Sequence, residues 1–212
     1  MKIKTFEFNP LGVNTYVVYD ASGECIVFDA ASIFPEENEE LVSFIEDNNL
    51  TVKRLINTHL HFDHLFGVNM LAEKYDLKLE CHKEDLFLLG TLEQQMQMFG
   101  FDTSRNYKPG IGDFLTEGDT IELGDEVLNI IHVPGHSPGS LVFYNEKRGW
   151  AIGGDVLFNG SIGRTDLVGG NFDLLIDGIK KKLLVLPDDT VIYPGHGPET
   201  SVGREKKNNP FL

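Results

Sequence analysis

The hexapeptide at residues 59–64, His-Leu-His-Phe-Asp-His, constrains this chain more than any other feature, because it packs three imidazoles and a carboxylate into six positions. It follows directly on the short run Arg54-Leu55-Ile56-Asn57-Thr58, which reads as a strand end. His59 and His61 lie two apart, so an extended backbone points both side chains the same way, and Asp63 and His64 can reach a point a few ångströms off. One strand end can thus supply ligands to two adjacent metal ions.

The other four histidines are His82, His132, His136 and His196. Two of them stand in Gly/Pro-rich turns, Pro134-Gly135-His136-Ser137-Pro138-Gly139 and Pro194-Gly195-His196-Gly197-Pro198. Turns that end strands hold functional side chains on a rigid frame, and glycine lets the backbone come close to a ligand. A third turn, Gly153-Gly154-Asp155, follows the apolar run Trp150-Ala151-Ile152 and carries an acid where a solvated loop needs none. His132 reads as a strand residue that could support a ligand, and His82 as structural or surface.

Length and charge narrow the function. At 212 residues the chain suits one domain spanning residues 1–212, or two intimately packed halves, with ample core. With 18 Lys+Arg against 33 Asp+Glu the formal net charge is −15, which disfavours nucleic acid and anionic membranes as partners and leaves a small-molecule substrate. The N-terminal Met1-Lys2-Ile3-Lys4-Thr5-Phe6 lacks the apolar core of a signal peptide, and no apolar run approaches about 18 residues, so a cytoplasmic protein is expected. Cys25 and Cys81 sit beside apolar residues and read as small core residues, not as a disulfide or redox pair.

Strand-like runs are expected at Ile3–Phe8, Thr15–Tyr19 and Cys25–Asp29, then a helix from Pro35 to Asn48 with glutamates in its first turn. The strand Val52–Asn57 leads into the hexapeptide, a helix through Val68, Leu71 and Tyr75, a strand Lys78–Cys81 and a helix near Lys83–Leu89. Residues 91–118 are the least regular; Met96, Met98, Phe99 and Phe101 there either cover a pocket or pack conventionally. Strands follow at Thr120–Leu123, Val127–Val133, Leu141–Tyr144 and Trp150–Ile152, then an amphipathic helix Phe172–Leu183 and a last strand Thr190–Tyr193. Two half-chains, each of strands followed by helix, predict an α/β fold: two sheets face to face with helices outside, four layers, and the metal residues at one edge.

With these residues in view, the chain resembles the metallo-β-lactamase-fold hydrolases over essentially its whole length. The resemblance rests on His59-x-His61-x-Asp63-His64 followed in order by His136, Asp155 and His196, with Asp29 where the family has an early supporting aspartate. Within that family it is most similar to the short glyoxalase II-like hydrolases, through Asn14-Thr15-Tyr16, Gly135-His136-Ser137-Pro138-Gly139-Ser140, Gly154-Asp155-Val156-Leu157-Phe158, Gly163-Arg164-Thr165-Asp166 and Asn209-Pro210-Phe211-Leu212. The resemblance implies two divalent metal ions, zinc foremost, with iron and manganese as alternatives. His59, His61 and His136 would hold the first, Asp63, His64 and His196 the second, and Asp155 would bridge them. A hydroxide between the ions would cleave a thioester, a 2-hydroxyacyl thioester foremost, with Asp63 also orienting it as the catalytic carboxylate.

Departures from the family pattern concern the thiol. Full-length glyoxalase II enzymes grip glutathione with a Lys and a Tyr where this chain has Arg164 and Asp166, the expected substrate contacts here. Those enzymes also continue past Asn-Pro-Phe into a basic segment, whereas this chain stops at Leu212 and offers only Arg204, Lys206 and Lys207 nearby. Class B β-lactamases lack the bridging aspartate, and the quorum-signal lactonases carry a Tyr where this chain has Phe158. The rival reading is a mononuclear-iron persulfide dioxygenase of the same fold, which would use His59, His136 and Asp155 and shares the Gly-Arg-Thr-Asp stretch. A purely structural metal site would be coordinatively closed and rich in thiolates, and these ligands include no cysteine.

Overall fold

The computed structural model describes residues 1–212. Strands β1 (Lys2–Phe8), β2 (Val13–Tyr19) and β3 (Glu24–Phe28) form an antiparallel meander. Helix α1 (Pro35–Asp47) then returns the chain to β4 (Thr51–Ile56), and α2 (Val68–Tyr75) leads to β5 (Leu79–Cys81). Helix α3 (Leu92–Met98) precedes β6 (Ile111–Phe114), and β3 to β6 pair in parallel, so the first sheet runs in chain order.

The second sheet begins with an antiparallel run, β7 (Thr120–Leu123), β8 (Glu126–His132), β9 (Leu141–Asn145) and β10 (Trp150–Gly154). A small hairpin follows, β11 (Leu157–Phe158) and β12 (Ser161–Ile162), and then α4 (Phe172–Gly178) crosses over to β13 (Val191–Pro194), parallel to β10. β14 (Thr200–Ser201) and α5 (Val202–Asn208) close the chain.

Alternation along the strands builds the layers. Tyr16, Val18, Ile26 and Phe28 face Leu128, Ile130, Phe143 and Ile152 across the space between the sheets. Their neighbours Val17, Cys25 and Val27 point the other way, against Leu41 and Ile45 of α1 and Leu71 of α2. On the outer face of the second sheet, Val142, Ala151 and Ile192 pack on Leu175, Ile179 and Leu183. The period of two thus feeds two opposite cores from each strand, giving the expected four layers. Both cysteines are buried and unpaired, as expected, and no helix is long and apolar enough to cross a membrane.

Several local expectations are corrected. The expected helix at Lys83–Leu89 is a 3₁₀ segment, Lys83–Gly90, whose entry is capped by His82 accepting from the Glu84 amide. The irregular stretch 91–118 contains α3 and the edge strand β6. The expected helix Phe172–Leu183 is α-helical only to Gly178, then widens into a π turn at Ile179–Leu183. The hexapeptide is not extended throughout: Phe62–His64 form a 3₁₀ turn.

A buried ionic cluster ties the N-terminus to the second sheet. Glu126 accepts from the Met1 ammonium at 3.3 Å, from Arg148 Nε at 2.8 Å and from Asn145 Nδ2 at 3.0 Å. Arg148, despite the burial that opposes it, holds the carboxyl down at about 2. A carboxylate with a lowered folded-state pKa stabilises the fold fully above its unfolded value, about 4.3, and loses that contribution as pH falls toward the folded one. Glu126→Gln is therefore expected to lower the urea midpoint near neutrality and to narrow its gap to wild type between about pH 4.3 and pH 2. Urea titrations across that range check this, and a pH-independent gap would contradict it.

Candidate metal centre

All the histidines singled out in turns converge at one edge of the sandwich. His59 and His61 leave the end of β4, and the 3₁₀ turn at Phe62–His64 then swings Asp63 and His64 to the same place. His136 stands in the turn between β8 and β9, Asp155 follows β10, and His196 follows β13. Six of the seven, His59, His61, Asp63, His64, His136 and Asp155, are buried, and His196 is the most open.

The seven residues fall into two interlocking groups. In the first, His136 Nε2 lies 2.9 Å from His61 Nδ1 and 3.2 Å from His59 Nε2. In the second, His196 Nε2 lies 3.4 Å and His64 Nε2 3.9 Å from Asp63 Oδ2. Asp155 sits between them, with Oδ1 3.6 Å from His64 Nε2 and Oδ2 3.5 Å from both His136 Nε2 and His196 Nε2.

The hydrogen bonds around these rings decide where their protons lie. His136 Nδ1 donates to the Arg164 carbonyl at 2.8 Å, and His196 Nδ1 donates to the Leu11 carbonyl at 3.0 Å. Asp29 accepts from the Thr58 amide at 2.7 Å and from the Thr58 hydroxyl at 2.8 Å, so that hydroxyl is left to accept from His59 Nδ1 at 3.1 Å. The other oxygen contact of Asp29 is with His64 Nδ1, at 3.1 Å. The outer nitrogens of His59, His136 and His196 thus carry the proton, and the inner nitrogens of His59 and His136 turn lone pairs toward each other. Lone pairs 3.2 Å apart repel unless a cation lies between them.

Charge leads to the same requirement. Burial, reinforced by the neighbouring histidines, pushes the His59 imidazole well below its ordinary value and His61 down to about 3, so both rings are neutral. Burial also acts against charge at His64, but Asp155, Asp63 and Asp29 outweigh it and draw the ring up to about 10, a proton that a divalent ion among these carboxylates would displace. Burial raises the Asp63 carboxyl, and the His64 and His196 imidazoles more than reverse this and hold it below the usual carboxylate range. Imidazoles and carboxylates arranged in this way fit divalent metal ions.

The comparisons accord with this geometry. A family model described as the metallo-beta-lactamase superfamily matches residues 8–196. The chain belongs to that superfamily. It is 36% identical to a probable metallo-hydrolase, YqgX, of Bacillus subtilis, over all of this chain and 98% of the relative. It is 35% identical to the hydroxyacylglutathione hydrolase GloC of Haemophilus influenzae, again over all of this chain and 98% of the relative. Among solved structures, the BLEG-1 B3 metallo-beta-lactamase superposes with a TM-score of 0.88 at 33% identity, covering 100% of this chain and 99% of that one. TTHA1623 in a di-iron-bound form superposes with a TM-score of 0.87 at 34% identity, covering 99% and 100%. This member of the superfamily is therefore a metal-binding hydrolase.

The two expected substrate contacts lie in the cleft beside the metal centre, bound to each other. Arg164 Nε and Nη2 donate to the two Asp166 oxygens at 2.7 and 2.8 Å. Arg204, Lys206 and Lys207 do not line that cleft. His82 and His132 stack face to face with centroids 4.3 Å apart, and His132 Nε2 donates to the Pro138 carbonyl at 2.7 Å, steadying the turn that carries His136.

Sequence reading missed the buried polar residues that fix the ligand loops. Asn57 Nδ2 donates to the His64 carbonyl at 2.8 Å, and Asn9 Nδ2 donates to the Asp63 carbonyl at 3.2 Å. Asn14 Nδ2 donates to the carbonyls of Pro194 and Gly197, and the Tyr16 hydroxyl also donates to Pro194. Asp85 joins the hexapeptide to the His136 turn. Only Asn14 and Tyr16 carried a sequence signal, as members of the Asn14-Thr15-Tyr16 marker.

Gly195 shows how tightly the site is closed. A Cβ there would fall inside contact distance of Asp155 Oδ1 and 2.9 Å from His64 Cε1. Gly195→Ala is expected to displace the Asp155 carboxylate and reduce turnover by about 10²-fold, the scale of a 1 Å misplacement, with the fold retained. Steady-state kinetics paired with a thermal melt checks this, and unchanged turnover would show that the carboxylate position is not critical.

Proposed function

We propose that this chain is a binuclear metal-dependent hydrolase that cleaves a thioester, with 2-hydroxyacyl thioesters as the first class to try. One observation carries the reading: the two oxygens of Asp155 face different ligand groups, Oδ1 toward His64 and Oδ2 toward His136 and His196. On this reading His59, His61 and His136 hold one ion, and Asp63, His64 and His196 hold the other. The assembled Asp63–His64–His196 group favours two ions over the single ferrous ion of the dioxygenase reading, which would leave that group without a task.

Bound divalent ions supply Lewis acidity that polarises a carbonyl and acidifies water. The chain's own residues do the rest. Asp63, kept ionised by His64 and His196, accepts a hydrogen bond from the attacking water and orients it as general base. Oxygen bonds to the acyl carbon, the C–S bond breaks, and the sulfur leaves as thiolate, which takes up the proton to complete a carboxylic acid and a thiol. The thioester class is supported by the likeness to GloC, and the likeness to TTHA1623 keeps iron beside zinc as the metal.

Metal content of protein purified without chelator or metal-carrying tag tests the first half. Two ions per chain are expected; one iron per chain, with oxygen uptake on glutathione persulfide, would overturn it. Lactoylglutathione and nitrocefin test the second half: thioester cleavage well above β-lactam cleavage is expected, and the reverse order would transfer the chemistry named in BLEG-1 to this chain.

A further inference from the structure

Away from the histidines, the cleft of about 610 Å³ changes character. Leu88, Met98, Phe99, Leu167 and Val168 line it, and Phe158 sets its ring 6.4 Å from that of His196. Helix α3 buries Leu92 and Met96 in the core and turns Met98 outward, 73% exposed, while Val168, which also lines the cleft, is 68% exposed. The wall is continuous with the metal centre: Phe62, between His61 and Asp63 in the chain, packs its ring on Phe99 at 5.2 Å. Large apolar side chains left in water at the mouth of a polar site gain free energy only when something apolar covers them.

The charges in the cleft point the same way. Arg164 is the one permanent cation in its lining, and Asp166 engages it with both oxygens while Phe99 lies under the guanidinium at 5.9 Å. The other permanently charged lining residues are Asp63, Asp155 and Asp166, and the chain as a whole carries −15. Apart from the proposed ions, a thiol bearing two carboxylates would meet no unpaired cation in this lining. An uncharged chain would meet the apolar side chains of Met98, Phe99 and Val168 that water now covers.

We infer that the substrate presents an uncharged apolar chain to the Met98–Phe99–Val168 wall, on the acyl or the thiol side of the scissile bond. This rests on the thioester reading for its kinetic arm but not for its binding arm. Burial of each added methylene against the wall raises kcat/KM, and the affinity of the bound chain, about three- to fourfold, equivalent to ~0.8 kcal/mol per buried CH₂.

The test uses the full-length metal-loaded protein. N-acetylcysteamine thioesters from acetyl to octanoyl are compared with acetyl thioesters of butane- to octanethiol, which tells the acyl side from the thiol side, and with the matching glutathione thioesters. The expected result is a rise of three- to fourfold per methylene in one of the two series, no preference for glutathione, and a flattened series in Met98→Asp and Val168→Asp. A flat series in the wild type, or a tenfold preference for glutathione thioesters, would overturn the inference while leaving thioester hydrolysis intact. If no thioester is cleaved, the hydrolase reading fails, and calorimetric binding of hexanoate, octanoate and decanoate still decides the inference. Affinity that climbs with chain length and is lost in Met98→Asp supports it, and equal affinities overturn it.

Discussion

Asp155→Ala is expected to lower thioester hydrolysis by on the order of 10³-fold, a loss of ~4 kcal/mol of transition-state stabilisation, and to bring metal content from two ions per chain to one or fewer. No other ligand touches both groups through separate oxygens, because Asp155 Oδ1 faces His64 while Oδ2 faces His136 and His196. Its removal takes one negative ligand from each proposed ion and leaves His64 with only Asp29 and Asp63 beside it. Asp155→Asn separates charge from shape, since the amide keeps one acceptor oxygen and loses the bridging anion. It should retain more metal than the alanine variant yet still fall far below wild type in turnover. Paired elemental analysis and kinetics decide the matter: an alanine variant with two ions and wild-type kcat/KM would end the two-metal proposal, and a variant that merely unfolds would be exposed by its melt.

The fold was legible in the sequence where period governs structure. Continuous apolar runs such as Tyr16-Val17-Val18-Tyr19 and Cys25-Ile26-Val27-Phe28 mark strands buried on both faces, and the order of strands and helices in each half-chain is why two sheets with outer helices could be read from pattern alone. The candidate ligands stood out because histidine and aspartate in Gly/Pro turns have few structural uses. What escaped were features in which tertiary context overrides propensity. The 3₁₀ geometry of Lys83–Gly90 and of Phe62–His64 depends on the loops it must join, and the helical pattern Phe172–Leu183 gives no sign of the π turn at Ile179. The cleft wall was left undecided between lid and core, and the residues divide: Met96 is buried, while Met98 and Phe99 line the cleft. A single Asn or Asp that pins a loop leaves no periodic trace at all, because its partners are backbone groups tens of residues away.

Asp85 is the clearest example of such a pin, and its removal should be costly. The carboxylate is fully buried and accepts from the Leu60 amide at 3.1 Å, the Gly139 amide at 2.6 Å and the Ser137 hydroxyl at 2.8 Å. Leu60 lies between His59 and His61, and Ser137 and Gly139 lie just after His136, so one side chain holds together the two loops that form the first ligand group. Burial raises the carboxyl above the usual aspartate range in spite of these donors, a sign of how little water reaches it. In Asp85→Ala the Ser137 hydroxyl can still turn to Ser140 Oγ, 2.8 Å away, but the Leu60 and Gly139 amides lose their acceptor. Two orphaned buried donors at about 1–3 kcal/mol each amount to about 2–6 kcal/mol, a large share of the ~5–15 kcal/mol that holds a domain of this kind together. A variant that survives this should also bind metal about 10- to 100-fold more weakly, as loss of an outer support typically does. Asp85→Asn keeps one acceptor and should fall between the two. Urea unfolding and competitive metal titration on the three proteins give the answer: a graded loss of stability and of metal affinity is expected, and an alanine variant equal to wild type in both would mean that the two ligand loops hold their places without this carboxylate.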